Sequence, residues 1–293
     1  MLADIAAIIA PVFVCAAIGY AWARLDLAFD RETITLIVVN IATPALILST
    51  LAKLEVPAGA FGEVAGAWAA FLATASAIGF VVLKLAGWSA RSYLPSLIFS
   101  NTGNMGLPLC MFAFGSEGLA LGLAVFAVSS ATMFVVTPAL ASGRVDWREA
   151  LRSPLYYTIA VSVVLMVTGT PLPKWMQNSA DLLGGLAIPL LLLTLGVSLA
   201  QLRLATFGRS LVLAVLKIVL GFSLGLALGW VFGLTGTARG VLVIQGAMPT
   251  AVFVYLFAAR HDRVPQEIAS VVLLATILSF LSLPFVLWVA LGG

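Results

Sequence analysis

Ser100-Asn101-Thr102-Gly103-Asn104-Met105-Gly106-Leu107-Pro108 is a polar, helix-breaking stretch set inside a long apolar run. Gly103, Gly106 and Pro108 together oppose a continuous helix, because proline removes a backbone donor and glycine favours non-helical dihedrals. Asn101 and Asn104 bring amide donors and acceptors to the same place. The surrounding run, 92–114, is long enough to cross a bilayer. Counted from Tyr93 at ~1.5 Å per residue, Asn101 to Pro108 fall ~12–22 Å into the membrane, near its middle. Broken backbone at that depth survives only inside protein or along a watery cavity. The stretch therefore predicts a polytopic membrane protein with a polar site at its centre.

Composition agrees. Of 293 residues, 62% are hydrophobic and 9% charged, and the mean hydropathy is +1.14. A soluble domain carries about 25% charged residues, so lipid is the expected solvent. The net charge of +3 comes without a basic cluster, which argues against a nucleic-acid partner. Residues 1–23 place their first positive charge, Arg24, after the apolar run, which predicts a first span rather than a cleaved leader. Apolar runs at 4–23, 32–52, 58–83, 92–114, 117–141, 154–170, 180–201, 206–233, 239–259 and 265–290 predict ten transmembrane helices.

Alternating the loops between the two sides segregates the cations. Arg24, Arg31, Lys84, Arg91, Arg144, Arg148, Arg152, Arg203, Arg209, Arg260 and Arg263 fall on one side. Lys53, Lys174 and Arg239 fall on the other, and Lys217 lies within a span. The positive-inside rule makes the richer side cytoplasmic and puts both termini outside.

The chain also repeats. Pro11, Pro44, Pro108 and Pro138 are matched by Pro154, Pro189, Pro249 and Pro284 at offsets of 143, 145, 141 and 146 residues. Residues 1–141 and 154–293 thus read as two five-helix repeats joined by a cytoplasmic loop, 142–153. Five is odd, so the repeats face opposite ways, an architecture of secondary transporters. The partner of the opening stretch is Gln245-Gly246-Ala247-Met248-Pro249-Thr250, with Pro249 ~15 Å from Arg239 and again near the midplane. Two interrupted antiparallel helices are expected to meet there, with Asn101, Gly103, Asn104, Gly106, Pro108, Gln245, Gly246, Pro249 and Thr250 around a solute.

Half-helix N-termini could hold a carboxylate, although the C-terminal ends of the same breaks suit a cation. Lys217, inside the bilayer, favours an anion and is a candidate charge partner. Glu63 is a candidate proton carrier at the outer mouth. The only histidine, His261, sits at a helix end. No carboxylate pair lies at mid-depth, which disfavours a cation/proton antiporter; a sodium-coupled symporter is the other alternative. An intramembrane enzyme would need a nucleophile with its base or a metal cluster. The sequence offers neither, and it calls for no cofactor and no metal. Cys15 and Cys110 read as packing thiols.

Asn101-Thr-Gly-Asn104-Met-Gly-Leu-Pro108 resembles the fourth-span motif of the auxin efflux carrier family, which includes bacterial permeases and plant carriers. Met248-Pro249-Thr250-Ala251 resembles its ninth-span counterpart. The resemblance runs along the whole chain, without the long central loop of many plant members. It implies a bile-acid-symporter-like fold in which broken helices 4 and 9 cross at the midplane. Spans 3–5 and 8–10 would then form a transport bundle moving elevator-fashion on a scaffold of spans 1, 2, 6 and 7, which could pair as a homodimer. It further implies a small organic anion, a mono- or dicarboxylate, as substrate, and the cell membrane (a bacterial inner membrane) as the location. The sequence departs from the family just beyond Pro249, where Ala251 to Val254 are apolar and many members carry a polar residue.

Overall fold

The computed structural model describes residues 2–53, 58–142 and 154–292. Beyond Ser142, the connecting loop with Arg144, Asp146, Arg148, Glu149 and Arg152 lies outside the described residues. Among the described residues the chain is all helical: α1 (Leu2–Arg24), α2 (Arg31–Ile37), α3 (Thr43–Lys53), α4 (Ala58–Leu85), α5 (Ala90–Ile98), α6 (Leu107–Ser142), α7 (Pro154–Thr168), α8 (Lys174–Gly184), α9 (Ala187–Gln201), α10 (Gly208–Val231), α11 (Gly236–Gly246), α12 (Val252–Arg260) and α13 (Pro265–Ala290). Wide π turns, Val38–Ala42 and Thr102–Gly106, link α2 to α3 and open α6.

Seven helical stretches among the described residues are long and apolar enough to cross a membrane: Ala3–Arg24, Arg31–Lys53, Gly59–Leu85, Thr102–Thr137, Lys174–Gln201, Gly208–Val231 and Pro265–Ala290. The sequence predicts ten spans. The difference lies where the backbone breaks. The expected span 92–114 is α5 followed by an interruption and the start of α6. The expected 239–259 is α11 and α12, of 11 and 9 residues, on either side of another interruption. The expected 154–170 is the 15-residue α7. The expected separation of 114 from 117 is a kink inside α6 at Gly115, whose φ of 64° and ψ of −148° suit only glycine. There Gly118 and Gly122 lie against Cys110 and Leu107, so the two arms of α6 fold back on one another.

Helices that lack a polar face gain little by the hydrophobic effect from pairing in lipid, so close backbone approach does the work. On α10, Gly221, Gly225 and Gly229 form a ridge without side chains against α11. A Cβ built on Gly221 would sit 2.1 Å from the Gly246 carbonyl oxygen, and one on Gly225 would sit 3.0 Å from that of Leu242. The same device joins α1 to α9, where built Cβ atoms on Gly19 and Gly196 fall 2.1 Å from the Leu193 oxygen and 1.9 Å from the Ala16 oxygen.

Polar contacts tie the helix ends. Lys53 pairs with Asp181 at 2.6 Å, joining α3 to α8. The Thr237 hydroxyl donates to Glu117 at 3.0 Å. The Arg209 guanidinium donates to the Tyr93 hydroxyl at 2.9 Å, sits 3.5 Å from Glu267 and lies over the Trp88 ring, joining α5, α10 and α13. Each of these pairs links residues that the charge pattern assigns to one side of the membrane. Just before α2, Asp30 accepts from the backbone N–H groups of Glu32 and Thr33, and the Thr33 hydroxyl bond holds its carboxyl below the usual range.

Candidate functional site

The two interruptions touch. After α5 the chain turns extended at Phe99 (φ −91°, ψ 107°), and α12 is entered through an extended Ala251 (φ −62°, ψ 135°). The Asn101 N–H donates to the Pro249 carbonyl at 2.7 Å and the Ala251 N–H to that of Phe99 at 3.0 Å, leaving Ser100 and Thr250 opposite each other in an antiparallel bridge. Unwound backbone in a membrane interior must find partners, and here each break supplies them to the other. The prolines fit this arrangement. Pro249 has no N–H to satisfy and lends its carbonyl, and Pro108 directly follows the π turn of Thr102–Gly106, whose widened ladder accommodates a residue without an N–H.

Thr250 locks the crossing further. Its buried hydroxyl donates to the Ser96 carbonyl in the last turn of α5 at 2.7 Å. Thr250→Val should cost about 1–2 kcal/mol by orphaning that carbonyl. This reads out as a lower melting temperature in detergent, whereas Thr250→Ser should melt near the wild type.

A cavity of about 90 Å³ opens beside the crossing. One wall is Ser100, Asn101, Thr102, Gly103 and Asn104, with Ala251 and Phe253. Opposite stand Thr35, Val38, Val39 and Thr43, from α2, the π turn that follows it and the start of α3, and Leu191 and Thr194 of α9. Ser129, Ser130 and Phe126 of α6 help close it. No charged side chain lines it among the described residues. Two helix N-terminal ends border it, the π turn that opens α6 and the first turn of α12, and each carries about half a positive charge. Asn101 Nδ2 and Thr194 Oγ1 are buried with no hydrogen-bond partner among the described residues. Buried polar atoms of this kind call for a ligand or solvent partner. The site can thus offer hydrogen-bond donors and positive dipole ends to a small polar solute.

Of the residues singled out from the sequence, Asn101, Gly103 and Asn104 line the cavity. Gly106, Pro108, Gln245, Gly246, Pro249, Thr250 and Lys217 do not; they build the crossing behind it. The Gln245 amide donates to Cys110 Sγ at 3.6 Å, and its Oε1 turns to Gly106, where an added Cβ would lie 2.0 Å away. Gly246 packs on Gly221. Lys217, fully buried, donates from Nζ to Ser100 Oγ at 2.7 Å. Glu63 is exposed on α4. Thr35, Thr43, Ser129, Ser130 and Thr194 were not singled out as cavity residues. One signal existed: Thr194 follows Pro189 by five residues, as Ser49 follows Pro44.

Residues 138–287, about half of the chain, match the family described as membrane transport protein. An uncharacterized transporter of Methanothermobacter thermautotrophicus is 24% identical over 278 residues, 88% of each chain. One of Methanocaldococcus jannaschii is 23% identical over 226 residues, 73% of each. Auxin efflux carrier component 1 of Arabidopsis thaliana is 23% identical over 153 residues, which is 50% of this chain and 24% of the plant protein. With its apolar helices and its paired breaks, this chain belongs to the auxin efflux carrier family of multi-pass membrane transport proteins.

Proposed function

We propose that this transporter moves a small organic anion of the mono- or dicarboxylate class across the membrane by alternating access. The observation that carries the reading is the convergence on one uncharged cavity of two helix N-terminal ends and the unpartnered Asn101 Nδ2. Donors and positive dipole ends without a counter-charge favour an anion over a cation. The absence of any carboxylate from the described lining argues against an antiporter that exchanges a cation for protons.

The wider architecture belongs to the same proposal: ten spans in two inverted repeats, both termini on the outer side of the cytoplasmic membrane, and broken helices crossing at the midplane. Spans 1, 2, 6 and 7 act as a scaffold that can pair with a second copy, and spans 3–5 and 8–10 slide as a unit. The matched Gly/Pro breaks and the same-side polar contacts described above support it. The cavity is also bounded by both helix groups, so relative sliding of the two would carry its contents.

A thermal-shift screen of mono- and dicarboxylates on the purified protein, followed by counterflow in liposomes, tests the reading. Saturable counterflow of a carboxylate is the expected result. Unsaturable flux with single-channel steps would make the protein a pore, and counterflow of cations alone would reverse the charge assignment. Asn104→Leu should weaken binding of the best carboxylate by about tenfold or more, the worth of one hydrogen bond to a charged group. Its melting temperature should hardly change. Unaltered binding in that variant removes Asn104 from the site.

A further inference from the structure

Lys217 is fully buried, and among the described residues no carboxylate pairs with it. A lone ammonium in such a place is expensive unless something replaces its water. Three things do. Ser100 Oγ accepts its hydrogen bond at 2.7 Å, and the Phe71 ring lies 6.0 Å from Nζ. The third is the pair of helix C-terminal ends that the crossing brings together. Ser100 sits two residues beyond the end of α5. Gly221, one turn along α10 from Lys217, touches the carbonyl of Gly246, the last residue of α11, and a Cβ built there would lie 3.7 Å from Nζ. Each C-terminal end carries about half a negative charge, so the two together amount to about one, which a single ammonium matches.

The geometry points to Lys217 as a built-in counter-cation: its ammonium neutralises the convergent C-terminal ends of α5 and α11 from behind the crossing, so the carrier moves its solute without a metal cation as co-substrate. This rests on the transport reading above, and it divides the crossing into two faces. The N-terminal ends face the cavity and receive the solute. The C-terminal end of α11 backs onto α10, and the lysine holds the crossing from that side through Ser100, just beyond the end of α5. Lys217 is therefore a positioning residue, acting on the solute only through Ser100 and the held break. With the lone pair of Ser100 engaged by Nζ, the serine hydroxyl hydrogen is free to turn to the cavity that Ser100 lines.

The test removes the cation and returns a free one. Lys217→Ala, purified and melted without any transported solute, should show a saturating upward shift of roughly 3 °C or more as methylammonium chloride is raised, because the ion binds only the folded protein. Choline chloride at equal ionic strength should give no such shift, and neither should the wild type or Lys217→Met, whose thioether chain fills the space. In liposomes, wild-type transport should be unchanged when sodium is replaced by potassium or choline. A Lys217→Ala response no larger with methylammonium than with choline, or wild-type transport that fails without sodium, overturns the proposal. If Lys217→Ala cannot be purified, the other two variants decide: Lys217→Arg keeping stability and transport while Lys217→Met loses both supports the role, and equal behaviour of the two overturns it. Since the melting experiment contains no carboxylate, failure of the carboxylate screen leaves it interpretable.

Discussion

Replacing Gly221 with alanine is expected to remove most of the folded, transporting protein. The added Cβ would fall 2.1 Å from the carbonyl oxygen of Gly246, well inside van der Waals contact, and both partners are backbone, so no side chain can swing aside. α10 and α11 would have to separate. Overpacking of this kind costs about 3 kcal/mol, the upper part of its usual range, because the ridge of Gly221, Gly225 and Gly229 loses its close approach as a unit. Moving Gly246 also moves the break that follows it, and with it the bonds from Asn101 to Pro249 and from Ala251 to Phe99. Melting in detergent and uptake in liposomes should therefore fall together. Gly66→Ala is the matched control: it lies on α4 with its nearest neighbour, the Phe232 ring, 3.9 Å from the built Cβ. It should be neutral or slightly stabilising, as alanine is the better helix former. If Gly221→Ala and Gly66→Ala melt alike, close backbone packing is not what holds this crossing.

That ridge was not legible in the sequence, and the reason is physical. Along a helix apolar on every side, no period distinguishes the face turned to a neighbour from the face turned to lipid. Glycines four apart in α10 could have faced either. The same blindness explains Gln245, read as a contact to the solute but rotated toward Gly106 and Cys110. It also explains Thr35, Thr43 and Thr194, hydroxyls in ordinary-looking apolar runs that become cavity lining only once α2, α3 and α9 are packed opposite the break. What could be read was local or repeated. Gly103, Gly106 and Pro108 announce a broken helix through backbone chemistry alone, and the matching of Pro249 to Pro108 named the second break and hence the partner of the first. The cost of a buried ammonium marked Lys217 before its partner was known; that the partner would be Ser100 required the crossing itself. The count of spans was harder: ten are expected from the apolar runs, whereas the described residues hold seven helical stretches long and apolar enough to cross a membrane, with short helices at the two breaks and a sharp kink at Gly115.

The sign of the cavity's charge preference can be tested at a single atom. Asn104→Asp is nearly isosteric and should abolish carboxylate transport. Asn104 lines the cavity beside the N-terminal ends of α6 and α12, and no charged side chain shares that lining among the described residues. A new carboxylate there would meet the charge of the solute directly. At a separation of ~4 Å and an effective dielectric constant of about 20, the repulsion is about 4 kcal/mol, roughly a thousandfold in affinity. The helix ends cannot absorb it, since the charge they lend to the solute would already be spent on the new aspartate. The loss should thus greatly exceed the roughly tenfold effect of Asn104→Leu, which removes only a hydrogen bond. The comparison separates charge from shape, since leucine perturbs the shape of the cavity more and its charge not at all. Isothermal titration of the best carboxylate against the two variants measures the gap. If aspartate at this position leaves carboxylate affinity intact, or strengthens binding of a cationic solute to a working carrier, the cavity is not an anion site. The helix N-terminal ends would then have to be answered by something other than the transported solute.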